Sequence, residues 1–203
     1  MIAGIVLAAG TSRRLGRPKQ LLPLGGKPLL DWVLDAMRGA GLGRVVLVLG
    51  HDAEAIRSAA NLEGVDVAFN ARYAEGMSTS LQAGLAAMGP DVEGAVVATG
   101  DQPFIGAALI ADLVAERQRT GKAMVATDYG AYQGPPMNLG REVWPLAAAI
   151  RGDQGARALL GSRPDLMGTI RVADPVPGLD VDTEEAYAEA VAFLKLIAGP
   201  PTA

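Results

Sequence analysis

Short apolar runs rich in β-branched residues alternate along this chain with longer stretches in which apolar positions recur every three or four residues. Residues 2–7, 45–49, 65–69, 95–98 and 123–126 are the short runs, and their length and composition predict buried strands. The longer stretches predict helices. Pro28 stands at a helix start, with Leu29, Leu30, Val33, Leu34 and Met37 at helical spacing behind it and Gly39 or Gly41 to close it. Further helices are predicted over 53–60, 80–88 and 107–120. A strand followed by a helix, repeated every ~25 to 30 residues, implies a parallel sheet with right-handed crossovers. The expected fold is a single-domain, three-layer α/β/α sandwich with a mostly parallel, Rossmann-like sheet.

Beyond Ala126 the pattern loosens. Residues 129–139 are rich in Gly and Pro; helices are predicted near 141–150 and 154–160, a strand over 168–172, and a last helix over 184–197. This half is expected to add antiparallel elements that cover a ligand site. No repeat or linker divides the chain, so one domain over 1–198 is predicted, with 199–203 as a frayed tail.

Composition narrows the chemistry. With 203 residues, half of them apolar, the chain can bury a full core without cross-links. The lack of any cysteine excludes disulfides, thiolate zinc, iron–sulfur clusters and a cysteine nucleophile, and fits the reducing cytoplasm. The first apolar run has no basic region before it and is too short for a signal sequence, and none approaches the ~18 to 20 residues that would span a bilayer. A net charge of −4 argues against general affinity for nucleic acid. Against that acidic background Arg13, Arg14, Arg17 and Lys19 fall within seven residues, which points to a phosphate ligand.

Those cations belong to the stretch Leu7-Ala-Ala-Gly-Thr-Ser-Arg-Arg-Leu-Gly-Arg-Pro-Lys19, which leaves the first strand. Small residues let backbone N–H groups approach an anion, and fixed cations complete its neutralisation. The spacing matches neither a Walker loop nor a dinucleotide fingerprint. In open parallel sheets, ligands lie beyond the carboxyl ends of the strands where the winding reverses, commonly between the first and fourth strands. The fourth strand ends in Thr99-Gly-Asp-Gln-Pro103, which sets Asp101 beside the basic loop. An acid next to a triphosphate calls for a cation between them, and Mg²⁺ is the oxygen-preferring choice.

Plainer roles compete. Asp101 could cap the helix that follows it, Ser78 or Ser80 could cap another, and Asp182 with Glu185 has the spacing of a capping box. His51 is the single histidine, so neither a catalytic triad of the usual form nor a histidine metal site can be built. Trp32 and Trp144 occupy helical packing positions.

The segments LAAGTSRRLGRPKQLLPLGGKPLL, NARYAEGMSTSLQAGL, GDQPF, GDQGARALL and DVDTEEAY stand in an order that resembles the MobA-like NTP transferases. Within that family the chain resembles the molybdenum cofactor cytidylyltransferase branch, and the likeness runs nearly end to end. The resemblance implies a nucleotide site made of Leu7, Ala8, Ala9, Gly10, Thr11, Ser12, Arg13, Arg14, Lys19, Asn70, Gly76, Ser78, Ser80 and Gly100. It implies catalytic roles for Lys19, Arg14 and Asp101, with Asp101 and Asp182 holding Mg²⁺. Ala9, where guanylyl members more often have Gly, tilts the base toward cytosine. The implied reaction transfers CMP from CTP to the terminal phosphate of molybdopterin, and the product's client would be a molybdenum hydroxylase or its maturation factor. Pro135 stands where the family often has His, which leaves the acceptor side less defined than the nucleotide side; Leu15 in place of Met conserves volume.

Three other readings remain open. The nucleotide could be GTP or the acceptor a sugar or isoprenoid phosphate. The chain could bind or deliver a molybdenum cofactor without transferring a nucleotide. The fold could serve oxidoreductase chemistry, as in one MobA-like relative, although the missing dinucleotide fingerprint speaks against it.

Overall fold

In the computed structural model, which describes residues 1–161 and 163–198, the predicted alternation is built as β1 (Ile2–Ala8), α1 (Leu29–Gly39), β4 (Val45–Leu49), α2 (Ala53–Ala59), β5 (Val65–Phe69), α3 (Met77–Ala86), β6 (Gly94–Thr99), α4 (Ala107–Thr120) and β7 (Met124–Asp128). A two-stranded hairpin, β2 (Pro23–Leu24) with β3 (Lys27–Pro28), precedes α1. The second half adds β8 (Gln133–Gly140), α5 (Trp144–Ala149), β9 (Met167–Arg171) and α6 (Glu184–Ala198). The predicted tail at 199–203 lies outside the described residues.

The central sheet runs in the order β5-β4-β1-β6-β8-β7-β9. β1 pairs in parallel with β4 and β6, β4 with β5, and β7 with β9; β8 is antiparallel to both of its neighbours. The sequence predicted an irregular segment where β8 lies, because Pro135 and Pro136 lack the N–H groups a central strand needs. The structure reconciles them by position. β6 pairs only with residues 137–140 of β8, and the register with β7 shifts between Ala126 and Thr127, so both prolines fall at an irregularity outside the β6 ladder. Thr127 donates its hydroxyl to the Pro136 carbonyl at 2.8 Å, binding the two strands there.

Alternation along β1 sends Ala3, Ile5 and Leu7 to one face and Val6 and Ala8 to the other. Leu81 and Leu85 of α3 join the first face, along with Ala147 of α5. Gly84 lets α3 sit close, since a Cβ there would lie 2.6 Å from Ile5 Cγ2. Leu30, Val33, Leu34 and Met37 of α1 cover the second face with Ile110 and Leu113 of α4. The helix predicted from Ser80 begins earlier, at Met77, because Gly76 with φ +113° makes the turn into it. The helix predicted near 154–160 is a 3₁₀ turn at Ala156–Leu159.

A smaller core lies at the edge of these layers. Val181 and Ala190 pack there with Leu15, Leu22, Leu24 and Leu29 of the loop, hairpin and α1 start. This cluster carries the end of the chain back to the loop after β1. Among the described residues no helix is long and apolar enough to cross a membrane.

Candidate active site

The winding of the sheet reverses between β1 and β6: the chain steps outward from β1 to β4 and β5, then crosses back to pair β6 on the other side of β1. Beyond the carboxyl ends of these two strands lies a cleft of about 900 Å³. Leu7, Ala8, Ala9, Gly10, Thr11, Ser12, Arg13, Arg14, Lys19, Gly76, Ser80, Gly100, Asp101 and Asp182 all line it. Asn70 and Ser78 do not. Asn70 is buried behind the wall, where its amide donates to Thr79 Oγ1 at 2.8 Å and Ser80 Oγ at 3.0 Å. Ser78 is buried too, and its backbone N–H donates to the Gly152 carbonyl at 3.1 Å. Both hold the segment that faces the cleft.

The loop after β1 is tied to itself. The N–H groups of Leu15 and Gly16 donate to the Ser12 carbonyl, and the Lys19 N–H donates to Ser12 Oγ at 3.1 Å. Gln20 donates its amide to the Ala8 carbonyl at 3.2 Å. Lys19 therefore opens a 3₁₀ turn, Lys19–Leu21, directly over the strand end. Gly100 closes the floor, donating its N–H to the Leu7 carbonyl at 2.8 Å.

Each of the two cations assigned to phosphate pairs with one of the two carboxylates assigned to metal. Lys19 Nζ bonds Asp101 Oδ2, with side-chain exposures of only 18% and 13%. Arg14 meets Asp182 at 2.7 Å in a far more open setting, the arginine being 70% exposed. The inner pair is the stronger, because water screens it less. Asp101 Oδ1 is buried without a hydrogen-bond partner, so one lone-pair face of this carboxylate is uncommitted.

The capping roles are not taken up. α4 begins at Ala107 after Gly106, well beyond Asp101, and α3 is entered through Gly76 without a serine cap. Thr183, rather than Asp182, caps α6: its Oγ1 accepts the Ala186 N–H at 3.1 Å. Asp182 is left to face the cleft.

Asp180, at the head of DVDTEEAY, was given no role from the sequence, yet it lines the same cleft. The Val181 N–H donates to the Asp101 carbonyl at 2.9 Å, and Val181 is fully buried, so the two aspartates beside it flank Asp101. Burial, and next the Asp101 charge, push the Asp180 carboxyl up to about 6; Lys19 and a hydrogen bond from Gln102 oppose them. The period of two in an extended segment was the available signal, since Asp180 and Asp182 then share a face opposite Val181.

Among the described residues, no group of three or more His, Cys, Asp or Glu side chains is arranged to hold a metal on protein ligands alone. Mg²⁺ rarely needs one, because it is commonly bound by one or two carboxylates together with substrate phosphates and water. The free Asp101 oxygen and the neighbouring Asp182 fit that use.

The opposite wall holds Tyr132, Pro135, Asp153, Gln154 and Arg157; the sequence analysis marked Pro135 and quoted the segment GDQGARALL, which holds the last three, without giving any of them a role. The Tyr129 hydroxyl donates to the Pro135 carbonyl at 2.8 Å and the Tyr132 hydroxyl to the Gly178 carbonyl at 2.7 Å. His51 lies outside the cleft lining, 2.6 Å from Asp52 and edge-on to Tyr73.

The MobA-like NTP transferase domain matches residues 4–166. Nicotine blue oxidoreductase of Paenarthrobacter nicotinovorans is 35% identical over 193 residues, covering 91% of this chain and 93% of that protein. Among solved structures, the homologue of Mycobacterium tuberculosis Rv0371c from Mycobacterium sp. strain JC1 superposes with a TM-score of 0.85 at 36% identity, covering 95% and 96% of the two chains. Rv0371c of M. tuberculosis H37Rv in complex with manganese gives 0.79 at 32% identity, covering 94% and 98%.

Proposed function

The chain belongs to the MobA-like NTP transferase family and has a nucleotidyltransferase-type function, and from that premise we propose that it transfers CMP from CTP to the terminal phosphate of molybdopterin, with Mg²⁺ as cofactor. The observation that carries the reading is the nearly buried Lys19–Asp101 pair at the switch point, beneath the loop that bears Arg13 and Arg14. An oxygen of the acceptor phosphate attacks the α-phosphorus, the bond from that phosphorus to the bridging oxygen breaks, and pyrophosphate leaves. Lys19 and Arg14 exchange their carboxylate partners for phosphate oxygens, and the backbone of Ala8, Ala9 and Gly10 borders the nucleotide. When bound by Asp101 and Asp182, Mg²⁺ supplies further neutralisation of the phosphate charge. Catalysis is then chiefly positioning and electrostatics, and no protein nucleophile is needed. The manganese complex of Rv0371c supports the use of a divalent ion, Ala9 supports cytosine, and the lack of cysteine supports a cytoplasmic setting.

The test is pyrophosphate release by the purified protein with Mg²⁺ and molybdenum-loaded molybdopterin, comparing CTP, GTP and ATP, with Asp101→Ala as control. Release with CTP that vanishes in the variant is expected. A preference for GTP overturns the assignment of the base but not of the reaction, and release with no nucleotide overturns the reaction on this acceptor.

The likeness to nicotine blue oxidoreductase favours one second reading, oxidoreductase chemistry on the same fold. It predicts bound nicotinamide or flavin, visible as absorbance beyond the protein band in the purified chain. A colourless protein that releases pyrophosphate eliminates it.

A further inference from the structure

Of the four cationic side chains that line the cleft, Lys19 and Arg14 are paired with carboxylates, and among the described residues Arg13 and Arg157 have no ion-pair partner. Arg13 belongs to the loop after β1. Arg157 stands on the opposite wall, in the 3₁₀ turn Ala156–Leu159, and has no role so far.

Its position is built rather than incidental. The guanidinium lies over the Tyr132 ring, 5.2 Å from the centroid. Tyr132 stacks on Tyr129 at 4.9 Å, and both hydroxyls donate to backbone carbonyls, so neither proton is left for an anionic ligand. Two glycines make room for the stack. A Cβ on Gly178 would lie 2.4 Å from the Tyr132 hydroxyl oxygen and 2.8 Å from the Tyr129 ring. A Cβ on Gly134 would lie 3.4 Å from the Tyr132 ring and 4.0 Å from the Arg157 side chain. A cation resting on an aromatic face keeps its charge and its in-plane N–H donors, the groups that match a phosphate bidentately.

Arg157 shares the cleft with Lys19 and Asp101 but stands on the other wall, over a ring whose hydroxyl is tied to the Gly178 carbonyl. A transfer at the α-phosphorus needs two anions in one cleft, the nucleotide and the attacking phosphate, and in-line attack requires the second to arrive away from the leaving pyrophosphate. We infer that Arg157, held on the Tyr132–Tyr129 stack, is the receptor for the acceptor's phosphate monoester. This rests on the nucleotidyl-transfer reading of the cleft and names a subsite of it.

The experiment compares the wild type with Arg157→Gln, Arg157→Lys and Gly178→Ala, measuring the KM for molybdenum-loaded molybdopterin, the affinity for CTP with Mg²⁺, and the unfolding midpoint. Expected are a rise of tenfold or more in acceptor KM for Arg157→Gln, partial recovery with Lys, and a several-fold rise for Gly178→Ala, whose Cβ displaces the stack. CTP affinity should stay within twofold for both Arg157 variants, with their unfolding midpoints unchanged. An unchanged acceptor KM in Arg157→Gln, or an equal loss of CTP affinity, overturns the inference. Where the wild type turns over no molybdopterin, the cytidylyl-transfer reading fails separately. Phenyl phosphate then serves as the probe, titrated by ³¹P NMR against protein saturated with Mg²⁺ and an α,β-methylene CTP analogue. Binding weakened tenfold or more by Arg157→Gln supports the subsite, and equal or absent binding in the two proteins overturns it.

Discussion

The two walls of the cleft present positive charge differently. On the β1 side Lys19 and Arg14 are tied to acids, Asp101 and Asp182, with Arg13 beside them unpaired among the described residues, so most of the charge is held in compensated pairs. On the far side Arg157 rests on neutral aromatic rings and makes no ion pair among the described residues. Compensation suits a site that must open for a cation and a polyanion together, because a metal on the carboxylates frees the cations for phosphate. An uncompensated cation suits a single phosphate that arrives without a metal of its own. The difference separates a ligand bound by exchange of partners from one bound by simple addition.

The sharpest way to break that comparison is to remove the inner cation. Lys19→Ala deletes the inner cation of the cleft and leaves Asp101 nearly buried without its counterion. By the scale of single electrostatic contacts in active sites, kcat should fall about 10²- to 10³-fold, or roughly 3 to 4 kcal/mol. Retention of a tenth or more of the wild-type rate would mean that the pair is structural. Single-turnover pyrophosphate release at saturating CTP gives the number directly.

What the sequence made legible follows the same division. The loop after β1 is contiguous, so its glycines, cations and position after a strand could be read together, and the placement of Asp101 followed from strand order alone. The far wall is assembled from Tyr132, Pro135 and Arg157, separated along the chain and joined only because β8 runs back between β6 and β7. The adjacent prolines at 135 and 136 hid that strand, since their tolerance depends on where the β6 ladder stops. Of the acidic pair in DVDTEEAY a role was given to Asp182 and none to Asp180, because the local pattern of a helix start drew attention to Asp182 and Glu185, while Thr183 does the capping.

Asp180 offers the next largest test. Its carboxyl, pushed up to about 6 from an ordinary value of 3.8, has a folded pKa above the unfolded one. The contribution to stability is therefore complete below about pH 3.8 and is lost as pH rises through about 6. In metal-free protein the ionised group costs on the order of 2 to 3 kcal/mol at pH 8. Asp180→Asn should recover most of this at pH 8 and almost none near pH 4, as read from urea melts in EDTA. Addition of Mn²⁺ to the wild type should narrow the gap between the two proteins if Asp180 shares in the field of a bound ion. An equal effect of the substitution at both pH values would remove Asp180 from the charged cluster.

The smallest effect separates the helix start from the chemistry beside it. Thr183→Ala takes the side-chain acceptor from the Ala186 N–H and should cost about 1 kcal/mol of stability, the usual value of an N-cap. It leaves Asp180 and Asp182 in place, so pyrophosphate release below the melting range should stay within about twofold of wild type, since only helix-cap energy is lost. Asp182→Ala should do the reverse. Its ion pair joins a largely exposed arginine, and such pairs contribute within about 1 kcal/mol, whereas the carboxylate lines the cleft. If Asp182→Ala proves as destabilising as Thr183→Ala while the rate survives, Asp182 belongs to the start of α6 rather than to the metal, and the compensated pairs on the β1 side reduce to Lys19 and Asp101.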